Sequence, residues 1–245
     1  MPQPHSLSKE EFIAKHEEFS IKSHQQLKSE DGVTQNPLID GAIDPEVYYD
    51  ARFRIVWLLM EAYGESTPVS DDPYYYNTIL EENIWETFLK GHRSKNTWTP
   101  IAYVSYSVLN NFWPYNGLDD INENPEVGDA ILHTAIVNVK KHPGSSTSNP
   151  SIIQAAYAES RDLLHEQLRL LEPNVVIGGN TLWMFKNDLG LKEPSGYLKH
   201  YSDHPYYVKG DCLYIDTYHP GFRGAKDKYV DDCIDLIKNW SESNV

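Results

Sequence analysis

Residues 53–60 read Phe-Arg-Ile-Val-Trp-Leu-Leu-Met, and Glu61-Ala62-Tyr63-Gly64 follow at once. A run this short and dense, rich in β-branched and aromatic side chains, is the pattern of a strand buried on both faces, as in a parallel sheet. Three more runs share that character: Leu132 to Val139 (LHTAIVNV), Asn174 to Gly178 (NVVIG) and Cys212 to Thr217 (CLYIDT). Between the second and third, Ser151 is placed to cap a helix. Its Ile152, Ala156, Leu163, Leu164, Leu168 and Leu171 recur at helical spacing, and Pro173 stops it. After the fourth run, Val230, Ile234, Ile237 and Trp240 trace another amphipathic helix. Strands alternating with helices imply βαβ units with right-handed crossovers. The expected fold is therefore a three-layer α/β/α arrangement around a central parallel sheet.

Upstream of the first strand, Ser8 and Glu11 have capping-box spacing ahead of a mostly polar helical stretch to about Lys28. Residues 1–50 read as an N-terminal helical extension and residues 51–245 as the α/β domain. The first crossover, Glu61 to about Ile131, is unusually long and carries helical patterns over Ile79–Lys90 and Trp98–Phe112. An insertion at about 66–130 is a natural place for a substrate lid or a specificity element.

The chain has 245 residues, enough for a sizeable core, with 40% hydrophobic and 23% charged residues. Its longest uninterrupted apolar run, Ile55 to Met60, is far short of the ~20 residues that cross a bilayer, which excludes a helical membrane protein. The start, MPQPHSLSKEEF, lacks the basic and apolar segments of a secretory signal, so a cytoplasmic location is expected. Two cysteines, Cys212 and Cys233, are too few for a disulfide framework or a metal held by thiolates alone. A net charge of −15 opposes generic nucleic-acid binding, so any DNA contact has to be local.

In an open parallel sheet, ligands bind beyond the carboxyl ends of the strands. The four runs end in Glu61-Ala62-Tyr63-Gly64-Glu65, Asn138-Val139-Lys140-Lys141-His142-Pro143-Gly144, Gly178-Gly179-Asn180 and Tyr218-His219-Pro220-Gly221-Phe222-Arg223-Gly224. A carboxylate, an amide and an imidazole are thereby expected on one edge. Gly178-Gly179-Asn180 lacks the spacing of a dinucleotide fingerprint and reads as close strand-to-helix packing.

These ordered motifs resemble those of the uracil-DNA glycosylase superfamily over roughly residues 52–240. Met60-Glu61-Ala62-Tyr63-Gly64 is similar to the GEAPG motif, and Ile136-Val137-Asn138-Val139-Lys140 to the ITNVVK segment of the iron-sulfur branch. Glu172 to Gly179 is similar to the stretch before the third motif strand, and Thr217-Tyr218-His219-Pro220-Gly221 to the terminal HPS motif. Tyr63 stands in place of the motif proline and Gly221 in place of the usual serine. The four cluster-binding cysteines have no counterparts, so neither an iron-sulfur cluster nor another cofactor or metal is expected. Tyr63, Tyr74, Tyr75 and Tyr76 are all open as the base-stacking aromatic.

The resemblance implies a DNA glycosylase hydrolysing the N-glycosidic bond of a flipped uracil or modified base, including the modified bases of some phage genomes. Repair and defence are both compatible with it. Alone, Glu61 reads as a strand-end carboxylate, His219 as a turn residue and Asn138 as a loop tie. Together they supply an anion beside an oxocarbenium-like sugar, a donor to the departing base, and an amide able to read a base edge. Glu61 and His219 are thus the expected catalytic residues, and Asn138, Ala62, Tyr63 and Gly64 the expected substrate-binding ones. Lys140, Lys141, His142, Arg223 and Lys226, with Lys228 nearby, are expected as a basic rim that contacts DNA. The alternatives are a catalytically inactive nucleotide- or protein-binding protein of the same fold and a free nucleoside or nucleotide hydrolase.

Overall fold

The computed structural model describes residues 5–29, 35–63, 69–70, 74–75, 95–144 and 147–243. The first helix, α1 (Lys9–Lys28), starts at Ser8, whose side chain accepts the Glu11 N–H while the Glu11 side chain accepts the Ser8 N–H, so the capping box closes in both directions. Two short strands, β1 (Leu38–Ile39) and β2 (Gly41–Ala42), and helix α2 (Pro45–Asp50) lead into β3 (Ile55–Tyr63). A short β4 (Tyr74–Tyr75) pairs in parallel with β1. Then come α3 (Lys95–Leu109), α4 (Pro125–Asp129), β5 (Thr134–Gly144), α5 (Pro150–Leu171), β6 (Val175–Gly179) and α6 (Leu182–Phe185). The chain closes with β7 (Gly196–Tyr197), β8 (Pro205–Lys209), β9 (Cys212–Thr217) and α7 (Lys226–Ser243).

Seven strands form one sheet in the order β2-β5-β3-β6-β9-β8-β7. The inner four, β5, β3, β6 and β9, are mutually parallel. They are the four strands read from the sequence, β9 with the same bounds and the other three with ends shifted by one to five residues, and β2, β7 and β8 add antiparallel margins. Strands β3, β5 and β6 are apolar on both sides over their buried stretch because both sides are covered, whereas β9 alternates, with Leu213 and Ile215 buried and Cys212, Tyr214 and Asp216 half-buried. Ile55, Trp57, Leu59, Ile136, Ile177 and Ile215 pack under α3 and α7. Val56, Leu58, Val137, Val139 and Val176 pack against α1, α2, α5 and α6 on the opposite face.

Phe12 of α1, Ala42 of β2 and Tyr48 of α2 belong to that second core. The N-terminal extension is therefore built onto the sheet. Helix α5 is capped two residues earlier than Ser151: Asn149 accepts the Ser151 N–H, and Pro150 occupies the first helical position. Ile153, not the exposed Ile152, faces the core. No helix among the described residues is long and apolar enough to cross a membrane.

Candidate active site

Parallel pairing puts the carboxyl ends of β5, β3, β6 and β9 along one edge. The residues following the strands are therefore neighbours there. On β3 and β5 the registered pairs are Trp57 with Ile136, Leu59 with Asn138 and Glu61 with Lys140. Registered partners share a face, so Glu61, Asn138 and Lys140 lie on the side covered by α3 and α7.

The Glu61 side chain is only 6% exposed. Its Oε2 accepts from Lys140 Nζ at 2.8 Å, and Lys140 also donates to the carbonyls of His142 at 3.1 Å and Pro143 at 3.0 Å. Those carbonyls are within reach because the register breaks: it passes from Glu61–Lys140 to Tyr63–Gly144, so Lys141, His142 and Pro143 oppose Ala62 alone. A Cβ at Gly144 would overlap the Glu61 carboxylate, which explains the glycine at that position. Glu61 is held in one place by a three-point ammonium and a bare backbone.

His219 follows β9, and burial pulls its imidazole below the ordinary histidine range. The Gly221 N–H donates to its Nδ1 at 3.1 Å. With Nδ1 accepting, the neutral ring carries its proton on Nε2, which is left as a donor. Gly179 backs the loop: a Cβ there would press on Leu59, Pro220 and the His219 Cα. Gly178 is closed off by Leu182 of α6, the close strand-to-helix packing expected of the glycine pair. Thr97 of α3 explains the glycine at 221, since a Cβ would stand 2.8 Å from the Thr97 hydroxyl. Tyr218 stacks on Phe222 at 5.0 Å, and Tyr229 donates to the Tyr218 carbonyl, bracing the loop from α7.

Asn138 is fully buried. Its backbone N–H and its Nδ2 both donate to Asp40 Oδ2, at 2.7 and 3.1 Å, and its Oδ1 has no partner among the described residues. Ala62 is buried at the end of β3. Gly64, Tyr76 and the helix expected over 79–90 lie outside the described residues, as do the side chains of Tyr63, Tyr74 and Tyr75.

The basic rim needs correction. Lys141 is buried, at 4% exposure, and donates to Asp40 Oδ1 at 2.6 Å and Gln167 Oε1 at 2.8 Å. Strand β5 runs on to Gly144, so Lys141 follows Val137 and Val139 into the face under α5. Lys140 spends its donors on Glu61 and two carbonyls. His142 is half-buried, and burial, helped by Lys140, pulls its imidazole below the ordinary histidine range. What remains at the rim is Arg223 and Lys228, both exposed, with Lys226 half-buried and donating to Asn96 Oδ1.

Sequence reading missed two acids. Asp40, whose side chain is wholly buried, gathers Asn138, Lys141 and Gln167. Asp216 of β9, on the face opposite Ile215, has its carboxyl pushed up to about 6 by burial. The alternation Cys212, Tyr214, Asp216 carried a signal for Asp216, but nothing in the local sequence pointed to Asp40. Among the described residues, no group of three or more His, Cys, Asp or Glu side chains could hold a metal ion. No protein-family model and no curated protein matches the chain.

Proposed function

We propose that the protein is a DNA glycosylase of the uracil-DNA glycosylase type, hydrolysing the N-glycosidic bond of a uracil or modified base extruded from DNA. The observation that carries this reading is His219: a neutral imidazole, with Nδ1 occupied by the Gly221 N–H, offers an Nε2 donor at the edge that also bears a fixed carboxylate. As the bond to the base lengthens, the sugar gains positive charge and the base oxygen negative charge. Glu61 stabilises the first and orients a water, while the His219 Nε2–H stabilises the second. A neutral donor suits an oxygen anion because it needs no proton transfer at the outset. Asn138 reads the base, and the exposed Arg223 and Lys228 supply phosphate contacts.

The withdrawal of Lys140, Lys141 and His142 from the surface favours a second reading, hydrolysis of a free nucleoside or nucleotide, which needs fewer cations. One assay separates the two. Purified protein is given oligonucleotides bearing uracil, hypoxanthine, cytosine or hypermodified cytosines, and in parallel the corresponding nucleosides, with released base quantified. Release from DNA, reduced about 100-fold by Glu61→Gln and by His219→Ala, is the expected outcome. Release from nucleosides alone establishes the second reading, and undiminished release by both folded variants overturns the assignment of the site.

A further inference from the structure

We infer that Asp40 is a positioning residue for Asn138, fixing which end of the buried amide is left unpartnered and so deciding which base edge it accepts; this rests on Asn138 as the reading residue. A carboxylate only accepts hydrogen bonds, so the Asn138 group facing Asp40 Oδ2 at 3.1 Å has to be the NH₂. The backbone N–H of the same residue donates to the same oxygen at 2.7 Å, anchoring the side chain at both ends of its first torsion. Asp40 is itself immobilised. Its Oδ1 accepts from Lys141 at 2.6 Å and from Gln167 Nε2 at 2.9 Å, and its backbone carbonyl accepts from Gln167 at 2.8 Å.

The consequence is chemical. A free asparagine amide can turn over and pair either with a ring N–H beside a carbonyl or with a ring nitrogen beside an amino group. Turning Asn138 over would set its Oδ1 against the Asp40 carboxylate, two acceptors in a buried place, with a full desolvation penalty and no bond in return. Asn138 Oδ1, buried and unpartnered among the described residues, is thus the fixed acceptor, with the second Nδ2 hydrogen beside it as a donor. That pair fits a lactam edge, an N–H next to a C=O, as in uracil or hypoxanthine. Cytosine presents the opposite order.

Binding of free uracil and free cytosine tests this without requiring turnover. The wild type is compared with Asp40→Asn/Lys141→Met, which removes both charges but keeps an acceptor for Asn138, and with Asp40→Leu/Lys141→Met, which removes the acceptor too. The uracil-over-cytosine preference should persist in the first and fall about tenfold in the second, the scale of one misplaced buried hydrogen bond. An equal preference in both double variants overturns the inference, as does a wild type that binds neither base, while release of base from DNA still judges Glu61 and His219 separately. Should the leucine variant not fold, hydrogen exchange of the wild-type Asn138 side-chain amide decides: one protected hydrogen supports the lock, and two equally fast ones refute it.

Discussion

Replacing Lys141 by alanine should cost stability and leave DNA affinity alone. The Lys141 and Asp40 side chains are 4% and 0% exposed and meet at 2.6 Å. Burial pushes the Lys141 ammonium below its ordinary range and Asp40 pulls it back, so each charge is tolerated because of the other. Removing one partner of a buried pair typically costs ~3–5 kcal/mol, because the survivor is left uncompensated. Gln167 and Asn138 still donate to Asp40 in the variant, which argues for the lower end, about 3 kcal/mol. In a chain of this size that corresponds to a fall of roughly 6–12 °C in Tm, at about 2–4 °C per kcal/mol. Taking both charges out together, as in Asp40→Asn/Lys141→Met, should restore most of it, since neutral replacements of a buried pair are often near neutral. The assay is thermal and denaturant unfolding of both variants, with DNA binding followed over a salt series. A variant that melts with the wild type but whose salt slope drops by about 0.9 would return Lys141 to the DNA-facing surface and refute the reasoning.

His16 Nε2 accepts the Ala42 N–H at 3.1 Å, and burial pulls the imidazole from 6.5 to about 4. A depressed histidine favours the folded chain above 6.5. That contribution, about 3 kcal/mol, is lost as pH falls from 6.5 towards 4. His16→Gln keeps an acceptor without titrating, so its stability should fall less over that window in denaturant titrations; parallel curves would clear His16 of the effect. Gly144→Ala should fold, because the atoms its Cβ meets belong to the Glu61 side chain and not to backbone, yet base release should drop at least tenfold as the carboxylate leaves Lys140. Wild-type turnover in that variant would show that the position of Glu61 is immaterial.

Strands β3, β5 and β6 were legible because burial on both faces leaves a continuous apolar run, and β9 because its buried Leu213 and Ile215 alternate with half-buried residues; neither pattern needs long-range information. The carboxyl edge was legible for the same reason: where each run stops, polar residues begin. Lys141 was misplaced because β5 does not stop at Val139. The alternation Val137, Val139, Lys141 keeps a cation inside once a carboxylate from residue 40 is there to meet it. A partner 101 positions away leaves no trace in a local pattern. The antiparallel margin was readable in principle. Gly210-Asp211 between β8 and β9 is a two-residue turn with Gly210 at φ +56°, but the alternation in β8 is weak: Tyr206 and Val208 lie on one face, opposite Ile215 and Leu213, yet Val208 is exposed.

The sheet's two outer strands, β2 and β7, are each two residues long. Beyond Ala135 and Ile136 the flank of β5 has no strand partner among the described residues, and the Asn138 N–H is taken by the Asp40 side chain. A side-chain carboxylate thus stands where another molecule's backbone would otherwise add on, held inward by Lys141. Short margins and inward charges deny an incoming strand a run of free ladder groups. The acid that aims Asn138 is therefore also a guard against edge-to-edge aggregation, and substitutions at residue 40 would show themselves first as turbidity at high protein concentration.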